Sequence, residues 1–359
     1  MSDYAKRVTK NSEMESKGLI CMPSEGTKYD GLIDAIDRYL AKADEDMEEK
    51  LASEGFVKTA ETVEAMNIIE DVATDALNDY CDELLERLQN ATGLDNFITD
   101  VWPKMKDAAE LEEKLKEVLH DQFYELLNQC VQQYLEDADA ALLIDDRITL
   151  PAQHFIENWS EELAELMHLS TNKQIEKILL DSQSKAMSIE EVADAIAESG
   201  IRSPGYRARR VAQTEVLRVQ SYAQKEYIRQ DPSVEKKEWV HTGAHKNKPR
   251  PNHQAISGQI VDKDQPFSLV GADGATYYPM CPRDTCLPAG ESVNCHCIVK
   301  VIRSAEKMAM SVEDRRALRK QYMDQVDAEY RQMEERFEHD HGNDPDVSWE
   351  VYNSYFPNV

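Results

Sequence analysis

Four cysteines and a histidine crowd into the second half of this 359-residue chain. They are His253, Cys281, Cys286, Cys295 and Cys297, the cysteines spaced Cys-x4-Cys-x8-Cys-x-Cys, with His241, His245 and His296 nearby in sequence. Thiolate and imidazole are the donors a tetrahedral Zn2+ takes. A small domain of short strands has little apolar core, and a structural metal is one way to stabilise it. The expected ligands are therefore His253, Cys281, Cys286 and one of Cys295 and Cys297. Two other fates stay open, namely disulfides formed on oxidation and buried free thiols. A Cys-x-Cys pair on a regular strand points its side chains to opposite faces, so both sulfurs join one site only if the backbone turns there.

Catalytic chemistry fits these spacings less well. A zinc deaminase uses His-x-Glu with Pro-Cys-x-x-Cys, but Gln254 and Ala255 follow His253. A metalloprotease needs His-Glu-x-x-His on a helix, which is absent, as is a phosphate-binding glycine loop. A thiol nucleophile needs a base nearby, and Cys295 with His253 leaves that reading open. The expectation is a protein that is not an enzyme. The rivals are a metal- or thiol-dependent nuclease, hydrolase or toxin-like enzyme, and a DNA-binding protein.

The elements that must position these residues are mostly helical. Charged residues make up 31% of the chain and aromatics 7%, with a net charge of -28, a balance that favours long solvated helices. The acid is concentrated early. Residues 1–200 carry 46 acids against 18 bases, whereas residues 201–300 carry 10 against 15. So acidic a chain repels phosphate and is a poor general nucleic-acid binder. The polar start Met1-Ser2-Asp3-Tyr4-Ala5-Lys6-Arg7 leads into no apolar signal core. No run of 18 apolar residues exists, so no membrane span is expected. Cys21, Cys81 and Cys130 are scattered, which suits a reduced compartment and a local metal site.

The expected class is α+β, mostly α. Residues 1–28 read as an arm and 29–170 as an acidic helical domain. Within it Leu32, Ile36, Tyr39 and Leu40 share a face, then Val63, Met66, Ile69, Val72, Leu77 and Tyr80. Leu111, Leu115, Val118, Gln122, Leu126 and Cys130 make another stripe, with Cys130 a small buried hydrophobe. Pro103 suits a first helical turn, with Asp100 a candidate cap. Pro151 opens a helix whose Ile156, Trp159, Leu163 and Leu166 face one way. Residues 172–200 read as two short helices, the second begun by a Ser188/Glu191 capping box and stopped by Gly200.

Residues 171–303 form a small α+β Cys/His module with its core at 205–303. A basic helix runs from Gly205 to Gln230, with Glu215 in its less charged stripe. A carboxylate there is costly unless paired, so either a specific partner meets it or a slight rotation exposes it. Short strands follow at 238–242, 256–261, 265–270, 275–278 and 297–302, separated by Gly and Asp. A C-terminal helix spans 304–340, with Ser311 and Asp314 as its cap and Leu318, Tyr322, Val326, Tyr330, Met333 and Phe337 on one face. The tail, 341–359, holds Trp349, Tyr352, Tyr355 and Phe356, expected to fold back on the chain, with docking on a partner protein the alternative.

One ordered set of residues resembles a known family. It comprises Ala212-Gln213-Thr214-Glu215, Trp239, Arg250-x-x-His253, Gly258, Pro266-Phe267, Tyr278-Pro279, Pro288-Ala289-Gly290-Glu291 and Asn294-Cys295-His296-Cys297. In that order it resembles the phage Mu F-like head morphogenesis proteins, most tightly over 205–303. The chain departs from the family in Gln213 and His296, where Arg is frequent, and in Cys281 and Cys286, which are not a general family feature. The resemblance implies a minor capsid protein that acts in head assembly or genome delivery. Its implied partners are the portal protein, a scaffold or the major capsid protein. Its implied place is the virion, after assembly in the bacterial host cytoplasm. The basic 202–250 stretch is a candidate contact for packaged DNA, or else pairs with the acidic helices.

Overall fold

The computed structural model describes residues 44–108, 110–139, 142, 147–199, 205–242, 249–342, 351, 355 and 356. The chain divides into Met1–Met47 and Glu48–Val359. In the first unit residues 44–47 are helical, and every element named below belongs to the second. The expected arm, Cys21, the Leu32–Leu40 face, Gly200, His245, Trp349 and Tyr352 lie outside the described residues.

A helical stretch, α1 (48–54), precedes α2 (Thr59–Gln89), which buries Val63, Met66, Ile69, Leu77 and Tyr80 as its 3.6-residue period predicts. Short helices α3 (Leu94–Asn96) and α4 (Trp102–Lys106) flank a π-helical turn at Phe97–Val101, with Pro103 in the first turn of α4. Asp100 does not cap α4; it accepts from Asn96 instead. In α5 (Glu110–Asp139) the buried stripe passes through Leu119 and Phe123 rather than Val118 and Gln122, and Cys130 is fully buried. Helix α6 (Leu150–Ser184) runs unbroken through residue 170, where a domain boundary was expected, so the first of the two short helices is the end of a long one. On α6 Leu166 is exposed, unlike Ile156 and Leu163. The capping box of α7 (Ile189–Glu198) is present, with Ser188 and Glu191 each bonding the other's backbone N–H.

Helices α2, α5 and α8 (Gly205–Gln230) pack on one another, and α6 lies on α5. Strands β1 (Val234–Val240), β2 (Ile260–Asp262) and β5 (Ile298–Arg303) form an antiparallel sheet in the order β2-β1-β5. Between them lie α9 (Pro251–Ile256), a hairpin of β3 (Leu269–Val270) and β4 (Thr276–Tyr277), and α10 (Ala289–Ser292). The strand expected from 256 begins only at Ile260. Gly258, at φ +89, makes the left-handed turn from α9 and donates to Trp239 O, a backbone shape that a side chain would strain. The outer edge of β5 is closed by a side chain. Gln224 of α8 accepts from Val299 N–H at 3.0 Å and donates to Val299 O at 2.7 Å, satisfying backbone groups that an edge strand leaves open.

The C-terminal region is two helices, α11 (Ala305–Met308) and α12 (Val312–His341), with Ser311 capping the second. Helix α12 packs on α6 and α8, burying Arg319, Met323, Asp327 and Tyr330. From the tail, Phe356 is buried against Tyr330, Phe337 and His154, with ring centroids 5.5–5.7 Å apart. The aromatic tail therefore does fold back at this residue. Among the described residues no helix is long and apolar enough to cross a membrane.

The start of α6 is capped from elsewhere in the fold. Glu226 of α8 accepts from Thr149 N–H (2.7 Å) and Thr149 Oγ1 (2.8 Å), and Asp327 of α12 accepts from Leu150 N–H (2.8 Å). Two carboxylates thus meet the partial positive charge and free N–H groups of a helix N-terminus. Glu226→Ala should lower stability by about 1–3 kcal/mol, because buried donors lose their acceptor. Urea denaturation of the full chain reads this as a lower midpoint at unchanged slope.

Candidate metal centre

His253 sits in the first turn of α9, Glu291 in α10, and Cys295 and Cys297 in the loop that leads into β5. That loop is not a strand. Asn294 turns it with φ +55, and β5 starts only at Ile298, so both sulfurs reach one histidine. His253 Nδ1 lies 3.6 Å from Cys295 Sγ and 3.5 Å from Cys297 Sγ. The ligand atoms of His253, Cys295 and Cys297 all fall within 4.8 Å of one another, and all three residues are buried. Between the cysteines, His296 points away and meets Glu54 at 2.6 Å.

The other face of the imidazole is held by Glu291. His253 Nε2 is 2.8 Å from Glu291 Oε2, which also accepts from Asn252 at 3.0 Å, while Oε1 accepts from Ala272 N–H at 2.8 Å. A carboxylate only accepts here, so Nε2 carries the proton and Nδ1 faces the sulfurs, as in carboxylate–histidine–metal sites. Burial pushes the Glu291 carboxyl up, but the bonds from Ala272, Asn252 and His253 outweigh it and hold it below its ordinary value. Burial pulls His253 down, and Cys295 and Glu291 outweigh that and raise it. Cys295 lies well below the usual thiol range. The hydrogen bond from Cys297 is the main cause, burial opposes it, and His253 and Arg283 reinforce it. Cys297 is pushed up by the same bond and by burial. One thiolate beside an imidazole and a second thiol is a donor set that can hold a soft or borderline cation.

Cys281 and Cys286 do not join this group. Cys281 is buried, pushed up to about 12 by burial and Asp284. Cys286 is exposed, its N–H bonded to Asp284. The expected five-residue set therefore separates into a trio and two cysteines elsewhere in the module.

Of the two outcomes open for Glu215, a specific partner and exposure to solvent, the structure has the first. It is buried, accepts from Trp159 Nε1 at 2.9 Å, and pairs with Arg218 at 2.6 Å. Arg218 also donates to the carbonyl of Arg283, and its guanidinium lies over the Trp159 ring at 4.6 Å. Arg283 is buried in a left-handed conformation at φ +60, and donates to Leu217 O, Ser221 Oγ and Cys295 O. The basic helix is thus joined to the cysteine loop through two guanidiniums. Arg209 pairs with Glu70 of α2 at 2.8 Å, one case of the basic stretch meeting the acidic helices.

Sequence reasoning missed the roles of Glu291, Arg283 and Arg250. Glu291 and Arg250 were visible as members of the ordered motif. Arg250 donates to Val293 O at 2.6 Å, clamping the cysteine loop from the N-cap position of α9. Arg283 carried no local signal.

Comparison with known proteins agrees with this placement. Residues 173–300 match the family described as Phage Mu protein F like protein. The chain is also similar to Uncharacterized protein YqbB of Bacillus subtilis (strain 168), 30% identical over 210 residues, covering 56% of this chain and 68% of that protein. No solved structure matches.

Glu215→Ala leaves Arg218 buried without its counter-charge and should cost about 3–5 kcal/mol. Equilibrium denaturation checks it, and a loss below about 0.5 kcal/mol, the scale of a surface change, contradicts the buried pair.

Proposed function

Since the chain belongs to the Phage Mu protein F like family, we propose that it is a minor head protein of a phage, acting through protein contacts and not through catalysis. Family membership supports the phage head, and the finer reading is assembly of the procapsid with the portal protein, a scaffold or the major capsid protein. Genome delivery from the virion is the second role this reading allows. The carrying observation is the burial of the His/Cys cluster found among the described residues. His253, Cys295, Cys297 and Glu291 are each no more than 2% exposed, which suits a staple for the fold better than a centre that receives substrate.

The basic stretch supports protein contact over DNA contact. Arg209 and Arg218 are engaged by Glu70 and Glu215, and Lys237 is buried and donates to Met280 O at 2.9 Å. A base spent on an internal acceptor neutralises no phosphate.

The cluster is proposed to bind one structural Zn2+ at His253, Cys295 and Cys297. Chain purified without chelator should carry about one zinc, and Cys295→Ser with Cys297→Ser should abolish it and lower the melting temperature. A double variant as heat-stable as the parent removes the staple.

The assembly reading is tested by co-expressing the full chain with the portal, scaffold and capsid proteins of its phage and assaying purified heads for it. It should co-purify with at least one of them and be present in heads. Absence from heads together with no co-purification overturns the reading.

A further inference from the structure

We propose that His241 is the fourth ligand of a closed Cys2His2 zinc site completed by His253, Cys295 and Cys297. The inference rests on the zinc reading above and goes beyond it by filling the open position of the trio.

Sheet register places His241 there. Strands β1 and β5 are antiparallel, and the pair at this end of the ladder is Val240↔Ile298. Continuing that register by one residue sets His241 opposite Cys297. Directly opposed residues on antiparallel strands project to the same face with Cβ atoms about 5 Å apart. The side chains do meet, with His241 Nδ1 3.5 Å from Cys297 Sγ. His241 is held in place through its backbone, its N–H donating to Ser257 Oγ at 3.1 Å, and the next residue, Thr242, bonds His296 O at 2.6 Å.

Three edges of the site already have tetrahedral length. With Zn–S near 2.3 Å and Zn–N near 2.05 Å, a tetrahedral N···S edge is about 3.6 Å long. Three of the four N···S edges that such a site needs stand at this length, His241–Cys297 at 3.5, His253–Cys297 at 3.5 and His253–Cys295 at 3.6 Å, while His241 lies outside the group whose ligand atoms are all within 4.8 Å of one another, so its imidazole must swing inward to bind. Cys297 is the shared corner, with one imidazole on each side, while Cys295 closes on His253.

The other donors nearby are committed elsewhere. His296 is turned to Glu54, Glu291 is held by His253, Asn252 and Ala272, and Cys281 and Cys286 are outside the cluster. Two thiolates and two neutral imidazoles around Zn2+ also make a site of zero net charge, which a buried position favours. Such a site ties the end of β1, the start of β5, α9 and the cysteine loop to a single point.

The test uses the full chain, its His241→Ala and His241→Gln variants, and Cys286→Ser as a control outside the site. Zinc content is measured first, then zinc-edge X-ray absorption of the wild type, then Co2+ absorption spectra and competition with a chelating dye. The expected wild type binds zinc through two sulfurs and two imidazoles and gives the intense visible bands of tetrahedral Co2+. Both His241 variants should shift those bands and bind Zn2+ at least about tenfold more weakly, since even an outer-sphere partner contributes that much. Cys286→Ser should change neither. No zinc in the wild type removes the zinc reading itself. Zinc with unchanged Co2+ spectra and affinity in the variants removes His241 alone. If the variants fail to fold, the wild-type absorption decides, and a single imidazole overturns the proposal.

Discussion

Arg218 and Arg283 are buried cations, and the rest of the chain is arranged so that neither lacks an acceptor. Arg218 is met by Glu215 on its own helix and stacked by Trp159 from α6, and it spends a further donor on the carbonyl of Arg283. Arg283 returns its own donors to α8 at Leu217 and Ser221, and to the cysteine loop at Cys295. A buried charge without a partner costs several kcal/mol, so these contacts act as a set. They also hold Arg283 in a left-handed backbone conformation that a non-glycine residue adopts only when its surroundings over-determine it.

That constraint makes the small sheet and the helical body one structure. Helix α8 runs through the middle of it. One part of the helix carries Glu215 and Arg218 to the cysteine loop. Further along, Gln224 closes the edge of β5, and Glu226 caps α6. Asp327 of α12 completes the cap, so the C-terminal helix reads the same junction. A metal at His253 and the two cysteines would then fix a part of the module built from loops and short helices instead of long elements.

Charge distribution separates the exterior from the interior. The acid excess of the first 200 residues sits on long helices whose apolar stripes face inward. Several bases of the next hundred residues turn toward carboxylates and carbonyls of the same chain.

Local rules were enough to read part of this from the residues alone. Helical periodicity identified the buried face of α2 and part of that of α5, where it took Val118 and Gln122 for Leu119 and Phe123, the Ser188/Glu191 box and Ser311 marked two helix starts, and the mixed class followed from the change of period after Pro232. The ordered motif found the module and named His253, Cys295 and Cys297, and the cost of a mid-stripe carboxylate narrowed Glu215 to a specific partner or exposure by a slight rotation. These signals work because capping, period and burial depend on residues within a few positions of one another. Tertiary structure alone decided that Glu226 and Asp327 cap α6, that Cys281 and Cys286 stand apart from the trio, and that Trp159 and Arg283 join the Glu215–Arg218 pair, which itself is an i+3 contact within one helix. Each of those depends on contacts between residues distant in sequence or on the direction a loop turns, which spacing does not encode. A Cys-x-Cys pair has the same sequence on a strand, where its sulfurs diverge, and in a turn at Asn294, where they converge on one histidine.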